Sequence, residues 1–128
     1  MAVSVKKIQH NDYLEFVFIG PFDLNDAIDN FLYILKICKE AGIDKVLIDY
    51  RHKEEIESAT LKGLYSYSIE DQYKKYLESG GHEIRFAYLA PTVLPWEPGI
   101  EIAERGKWPF KVFNKLNDAL EWLNVTGT

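Results

Sequence analysis

This sequence has one cysteine in 128 residues, and it has no Gly-x-Gly-x-x-Gly turn, Gly-x-x-x-x-Gly-Lys loop, Gly-x-Ser-x-Gly elbow or paired cysteines. Those absences remove the dinucleotide-binding, phosphate-loop, serine-hydrolase and thiol–disulfide classes that such motifs mark. The expectation is a protein without a cofactor and without an enzymatic role. With Cys38 alone, a disulfide framework within the chain is impossible, and its place on the apolar side of a helical pattern marks it as a small core residue. The histidines, His10, His52 and His82, are far apart and lack metal-ligand spacing, so they are expected in solvent and no metal is expected. No apolar run reaches the length of a bilayer span, which argues against stable membrane insertion. The opening MAVSVKKIQH lacks a signal peptide's apolar run, so the expected compartment is the cytoplasm. A net charge of −5, with basic residues scattered rather than striped, argues against nucleic acid, whose binding needs a positive field.

Hydrophobic residues make up 47% of the chain, enough for one core without staples. A single domain over 1–128 is expected, ordered over about 3–124, with 125–128 a frayed tail. Val3–Gln9 and Tyr13–Ile19 read as an antiparallel strand pair joined at His10-Asn11-Asp12. Leu14, Phe16 and Phe18 point to one face of the second strand. Asp23 is a good N-cap for a helix with Leu24, Ala27, Ile28, Phe31, Leu32, Leu35 and Cys38 inward, and Gly42 suits its left-handed end.

Lys45–Tyr50 is nearly continuous in apolar residues, as a central parallel strand covered on both faces should be. Thr60–Leu77 reads as a second helix with Leu61, Leu64, Tyr65, Ile69, Tyr73, Tyr76 and Leu77 toward the core. Ile84–Ala90 is a buried strand, Gly99–Arg105 a short helix, and Trp108–Phe113 a short edge strand containing Pro109. Asn114 is placed to cap a final helix with Leu116, Ala119, Leu120 and Leu123 inward. This order gives an α/β sandwich with a mixed sheet of about five strands and about four helices.

The order and spacing of several short motifs resemble the SpoIIAA-like group of the STAS superfamily. They are Leu47-Ile48-Asp49 with Arg51, then Ala103 with Arg105-Gly106, then Val112-Phe113, then Ala119-Leu120 with Trp122-Leu123. The resemblance runs from about Tyr13 to Leu123. It implies a STAS-like domain, related in fold to anti-sigma-factor antagonists and to the Sec14 (CRAL-TRIO) lipid-binding domains. Phospho-switch members carry Asp-Ser-Ser/Thr-Gly-Leu after the central strand. Laying Gly63-Leu64 on the end of that motif puts Thr60 at the Asp position and Leu61 at the phosphate-accepting serine. Leucine accepts no phosphate, so the resemblance carries the fold and departs from that switch.

Ligands of open α/β sheets bind beyond the carboxyl ends of the parallel strands. Asp49 and Arg51 fall there with the same strand parity, either as a polar anchor for a ligand or partner or as a structural ion pair, for instance Asp49 with Arg105. Ser58 and Thr60 are nearby hydroxyls and the candidate phosphosites, Thr60 being a candidate for ligand or partner binding as well; Glu54, Glu55 and Glu57 would oppose a phosphate and read as a solvated loop. Tyr65, with Tyr67, Tyr73 and Tyr76, either lines an interface or pocket or covers the sheet with its hydroxyl in water. Trp96, between two prolines, is folded on the core or used for contact. The expected function is an interaction module that binds a protein partner or self-associates. The alternative is a small carrier or sensor of an apolar, lipid-like ligand, by analogy with the Sec14 relatives.

Overall fold

The computed structural model describes residues 4–20, 23–53, 59–90 and 109–125. Among them stand β1 (Ser4–Gln9), β2 (Leu14–Gly20), α1 (Leu24–Ala41), β3 (Lys45–Lys53), α2 (Ala59–Glu78), β4 (Arg85–Leu89), β5 (Phe110–Phe113) and α3 (Leu116–Leu123). The strands form one sheet in the order β1-β2-β3-β4-β5. β1 is antiparallel to β2, and the remaining pairs are parallel. The mixed sheet and the antiparallel pair stand as expected. The expected helix at Gly99–Arg105 lies outside the described residues.

Strand parity divides the core. Phe16, Phe18, Val46, Ile48, Tyr50, Phe86 and Tyr88 point to a first face, where the inward stripes of α1 and α2 cover them. Tyr13, Leu47, Ala87 and Leu89 point to the second face, under Ala119, Leu120 and Leu123 of α3. β3 and β4 are therefore buried on both sides, which is why their sequences are nearly unbroken in apolar residues. β5 lies at the sheet edge, where the amide that Pro109 lacks is not missed.

α1 is terminated by local chemistry. The Asp23 carboxylate accepts from the amide of Asn25 at 2.9 Å and from that of Asp26 at 3.4 Å, satisfying otherwise orphaned donors. At the other end Gly42 takes φ 68°, and the Ile43 amide donates to the Cys38 carbonyl at 3.0 Å. Cys38 is fully buried, and burial with the Asp44 charge beside it pushes its thiol up to about 12. It is a core residue, as its position predicted.

Several placements differ from the sequence reading. Leu32 and Leu64, assigned inward, are 40% and 48% exposed, while Ile34 is buried. Each misplaced leucine flanks a true inward position on a stripe that four or five well-packed side chains already fill. β3 extends to Lys53 because its end pairs with β2, Ile19 opposite His52 and Gly20 opposite Lys53, after a register shift past Val17. α3 is entered through Lys115 rather than Asn114, with no side-chain cap, and Leu116 is 36% exposed. Its attachment comes instead from packing: the Arg85 guanidinium lies 4.2 Å from the Trp122 ring centre, and Trp122 packs on Phe113 at 5.8 Å.

Candidate functional site at the carboxyl ends of the strands

Leu47, Asp49 and Arg51 share the second face of β3, so the strand that is apolar in its middle becomes charged at its end. Asp49 sits opposite Val17 of β2 and Leu89 of β4 and is 1% exposed. A carboxylate so enclosed needs charge and hydrogen bonds together. Arg51 folds back along the strand to supply them. Its backbone amide donates to Asp49 Oδ1 at 2.9 Å, its Nε to Oδ1 at 3.0 Å and its Nη2 to Oδ2 at 2.9 Å. The fork is two-pronged and half open, the Arg51 side chain being 38% exposed against 2% for Asp49. The hydrogen bond to Asp49 raises the Arg51 pKa, and the charges of Asp49 and Glu15 add to this while burial opposes it. The alternation of strand side chains makes the pair possible between residues two apart. Arg105, the partner expected for Asp49, lies outside the described residues.

Below this pair, Glu15 Oε1 meets His10 Nε2 at 2.7 Å, and the His10 ring stacks on Tyr13 at 4.2 Å and 10°. His82 bonds the Ile43 carbonyl through Nε2 at 2.7 Å and the Tyr76 hydroxyl through Nδ1 at 3.4 Å. His10 and His82 are thus half-buried and partnered, against the expectation of solvated histidines; the side chain of His52 is outside the described set. His10 finds its partner five residues away, whereas His82 joins Tyr76, six residues before it, to the Ile43 carbonyl 39 residues away. Among the described residues no group of three or more His, Cys, Asp or Glu could hold a metal ion.

On the first face, three phenols converge at the same end of the sheet. The Tyr50 hydroxyl of β3 donates to that of Tyr65 of α2 at 3.3 Å, and the Tyr65 and Tyr88 hydroxyls are 3.0 Å apart, Tyr88 belonging to β4. Their exposures are 3%, 1% and 3%. Burial raises all three pKa values well above 10.0, so they are neutral hydrogen-bonding groups and not bases. About two turns farther along, the Tyr73 hydroxyl accepts from the Ile84 amide at 3.0 Å. Of the two readings of the α2 tyrosines, a hydroxyl in water fails for Tyr65 and Tyr73, whose phenol tips point into the sheet, while Tyr67 is exposed. Tyr50 and Tyr88 are site residues that the sequence pattern does not single out. No local signal marks them, because the phenol oxygens they meet lie 15 and 23 residues away.

The outer surface of α2 is different. Leu64 is 48% and Tyr67 60% exposed, beside the buried Tyr65 and Ser66. On the neighbouring α1, Leu32 is 40% and Tyr33 52% exposed. Thr60 belongs to the first turn of α2, with its side chain outside the described set. Ser58 and Trp96 lie outside the described residues. Of the expected site residues, the structure therefore joins Asp49 with Arg51 on one face and sets Tyr65 on the other. Among the described residues no helix is long and apolar enough to cross a membrane.

A search of solved structures places this arrangement among SpoIIAA-like folds. An anti-sigma factor antagonist from Mycobacterium paratuberculosis matches with a TM-score of 0.59 at 18% identity, covering 96% of this chain and 95% of that one. A protein with a SpoIIAA-like fold from Shewanella loihica matches with a TM-score of 0.52 at 21% identity, covering 94% and 93%. The anti-sigma factor antagonist SpoIIAA, in its unphosphorylated form, matches with a TM-score of 0.51 at 10% identity, covering 96% and 98%. No family model and no curated protein matches the sequence. At these identities the likeness establishes the fold: this chain has a SpoIIAA-like α/β fold.

Two outcomes follow from the buried groups. Arg51→Met leaves the enclosed Asp49 carboxylate without its guanidinium and should cost about 1–3 kcal/mol in urea unfolding. Asp49→Asn lets Arg51 swing into water and keeps an acceptor for its amide, so it should cost less; the reverse order would contradict the pairing. The second concerns pH. The buried phenols hold folded-state pKa values above the ordinary 10.0, so their stability is present below pH 10 and is lost as pH rises toward the folded values. Alkaline titration followed by tyrosinate absorbance should show a delayed step coincident with unfolding by circular dichroism. Ionisation of every tyrosine in one gradual wave, with the fold retained, would contradict it.

Proposed function

We propose that this chain is a non-enzymatic interaction module and that a protein partner docks on the outer face of α2. The observation that carries the reading is the exposure of Leu64 and Tyr67, nearly one turn apart, on a helix whose inner face is fixed by buried phenols. Leucine and tyrosine at such spacing offer an apolar ridge with one polar tip, and tyrosine is among the residues enriched at protein interfaces. Leu32 and Tyr33 are further exposed apolar residues on α1, the helix packed beside α2. The anti-sigma factor antagonists with the same fold support regulation through protein contacts as the setting. The space between sheet and helices supports a surface role over a carried apolar ligand: Phe31, Phe86, Tyr73 and Phe110 fill it, with ring centres 5.1–6.1 Å apart.

A photo-crosslinking amino acid in place of Tyr67 tests this in the host cell. It should give one discrete adduct, either with a heterologous protein or with a second copy. Adding Leu64→Asp should reduce the adduct at least about tenfold, the effect of losing a central contact, while the melting temperature stays near that of the parent. A smear of weak adducts insensitive to Leu64→Asp would sink the docking face. Sedimentation at micromolar concentration then separates self-association from a heterologous partner.

A further inference from the structure

We infer that the amino-terminal half of α2 is built to lift from the sheet while the rest of the fold holds, with Tyr65 as the latch and the Tyr73–His82 end as the pivot. The two helices on the first face are attached by different chemistry. α1 buries Ala27, Phe31, Ile34, Leu35 and Cys38, a stripe without a hydroxyl. α2 buries Tyr65, Ser66, Ile69, Tyr73 and Tyr76, and Glu70 adds a carboxylate oxygen that is buried without a hydrogen-bond partner. When α1 leaves the sheet, apolar surface meets water and nothing is regained. When α2 lifts as far as Glu70, just past its middle, the hydroxyls of Tyr65, Tyr50 and Tyr88 exchange one another for water, and Glu70 Oε2 gains a partner it lacks. Release is correspondingly less costly for α2.

The ends of α2 set the direction of the motion. Its first turn carries no acidic residue to meet the helix dipole, and Gly63 follows directly, whereas α1 begins with the Asp23 cap and Asp26. Its far end is tied to backbone. Tyr73 accepts from the Ile84 amide at 3.0 Å and donates to the Ile84 carbonyl at 3.4 Å, so lifting this turn strands a buried amide. Ser79 Oγ and the Gly81 amide both donate to the Tyr76 carbonyl at 2.9 Å. Gly81 lies so close to the Tyr76 ring that a β-carbon there would collide with it. Since a carbonyl only accepts, His82 Nε2 donates to Ile43; its Nδ1 then receives the Tyr76 hydroxyl. The joint beyond is Gly80, at φ 97°.

Leu64 and Tyr67 ride on the mobile half. The purpose of the motion rests on the docking reading above: a partner that grips these residues selects the lifted or the seated helix and so is regulated by Tyr65.

Native-state hydrogen exchange read by mass spectrometry tests the inference on the free chain, independently of any partner. Amides of Tyr65–Glu70 should exchange at least tenfold faster than those of Tyr73–Leu77 and of Phe31–Cys38. Tyr65→Phe should speed Tyr65–Glu70 further, by leaving Tyr50 and Tyr88 without their shared partner, and leave Phe31–Cys38 unchanged. The triple change Tyr50→Phe, Tyr65→Phe, Tyr88→Phe removes the hydroxyls together and should slow the same segment to the wild-type rate or below. Exchange of both halves of α2 in step with α1, or an equal acceleration everywhere in Tyr65→Phe, overturns the proposal. If Tyr65→Phe does not fold, the wild-type gradient decides alone. A clear gradient with an unaffected cross-link at Tyr67 would leave the motion standing and remove the docking reading.

Discussion

The hydroxyl of Tyr65 is the point at which a helix and two central strands are tied together, and the arrangement of the first face follows from it. A phenol ring delivers a large apolar area to the core only if its oxygen finds a partner there. Tyr50, Tyr65 and Tyr88 meet this condition for one another, within 3.3 Å, from β3, α2 and β4. The geometry leaves little freedom: it sets the height of α2 over the sheet and its rotation about its own axis. That rotation turns Ile69 and Tyr73 inward and leaves Leu64 and Tyr67 outside. The exposed ridge is thus a consequence of the buried hub.

The second face obeys the same condition with charge in place of hydroxyls. Asp49 stands where a strand covered on both sides leaves the core, and it is enclosed before the chain reaches solvent. Arg51, two residues on, reaches back with two prongs, so strand end and counter-charge come from one short segment. The fork leaves Arg51 Nη1 outside it. It reads as structure first, with the guanidinium edge available to whatever approaches the end of β3.

How much of this was legible differs by element. The ends of α1 were marked, because Asp23 and Gly42 act on their nearest neighbours, while its stripe was misread at Leu32 and Ile34, whose places depend on how the helix is rotated against the sheet. β3 and β4 were marked by unbroken apolar runs, and the antiparallel start by the short turn between two alternating segments. The charged strand end was also visible, since Asp49 and Arg51 follow an apolar stretch with matching parity. The hub was not. Nothing local distinguishes a tyrosine whose oxygen is met by two others from one whose oxygen reaches water, because the partners lie 15 and 23 residues away. The inward assignment of Leu64 failed for the same reason: helical spacing supplies a stripe, but the rotation of α2 is fixed by contacts at long range. Asn114 misled because a capping residue type one position early outweighed the packing that starts α3.

The most direct measurement of the central claim is a double-mutant cycle on the phenols, using Tyr→Phe changes at 65 and 88 and then at 50 and 65, with stability from urea unfolding. If the hub fixes α2, removing the second hydroxyl of a pair should cost much less than removing the first. The coupling should then be about 0.5–2 kcal/mol, larger for Tyr65 with Tyr88 than for Tyr50 with Tyr65. Additive losses in both cycles would mean that each hydroxyl is satisfied independently, and the claim that one shared oxygen sets the position of α2 would be wrong.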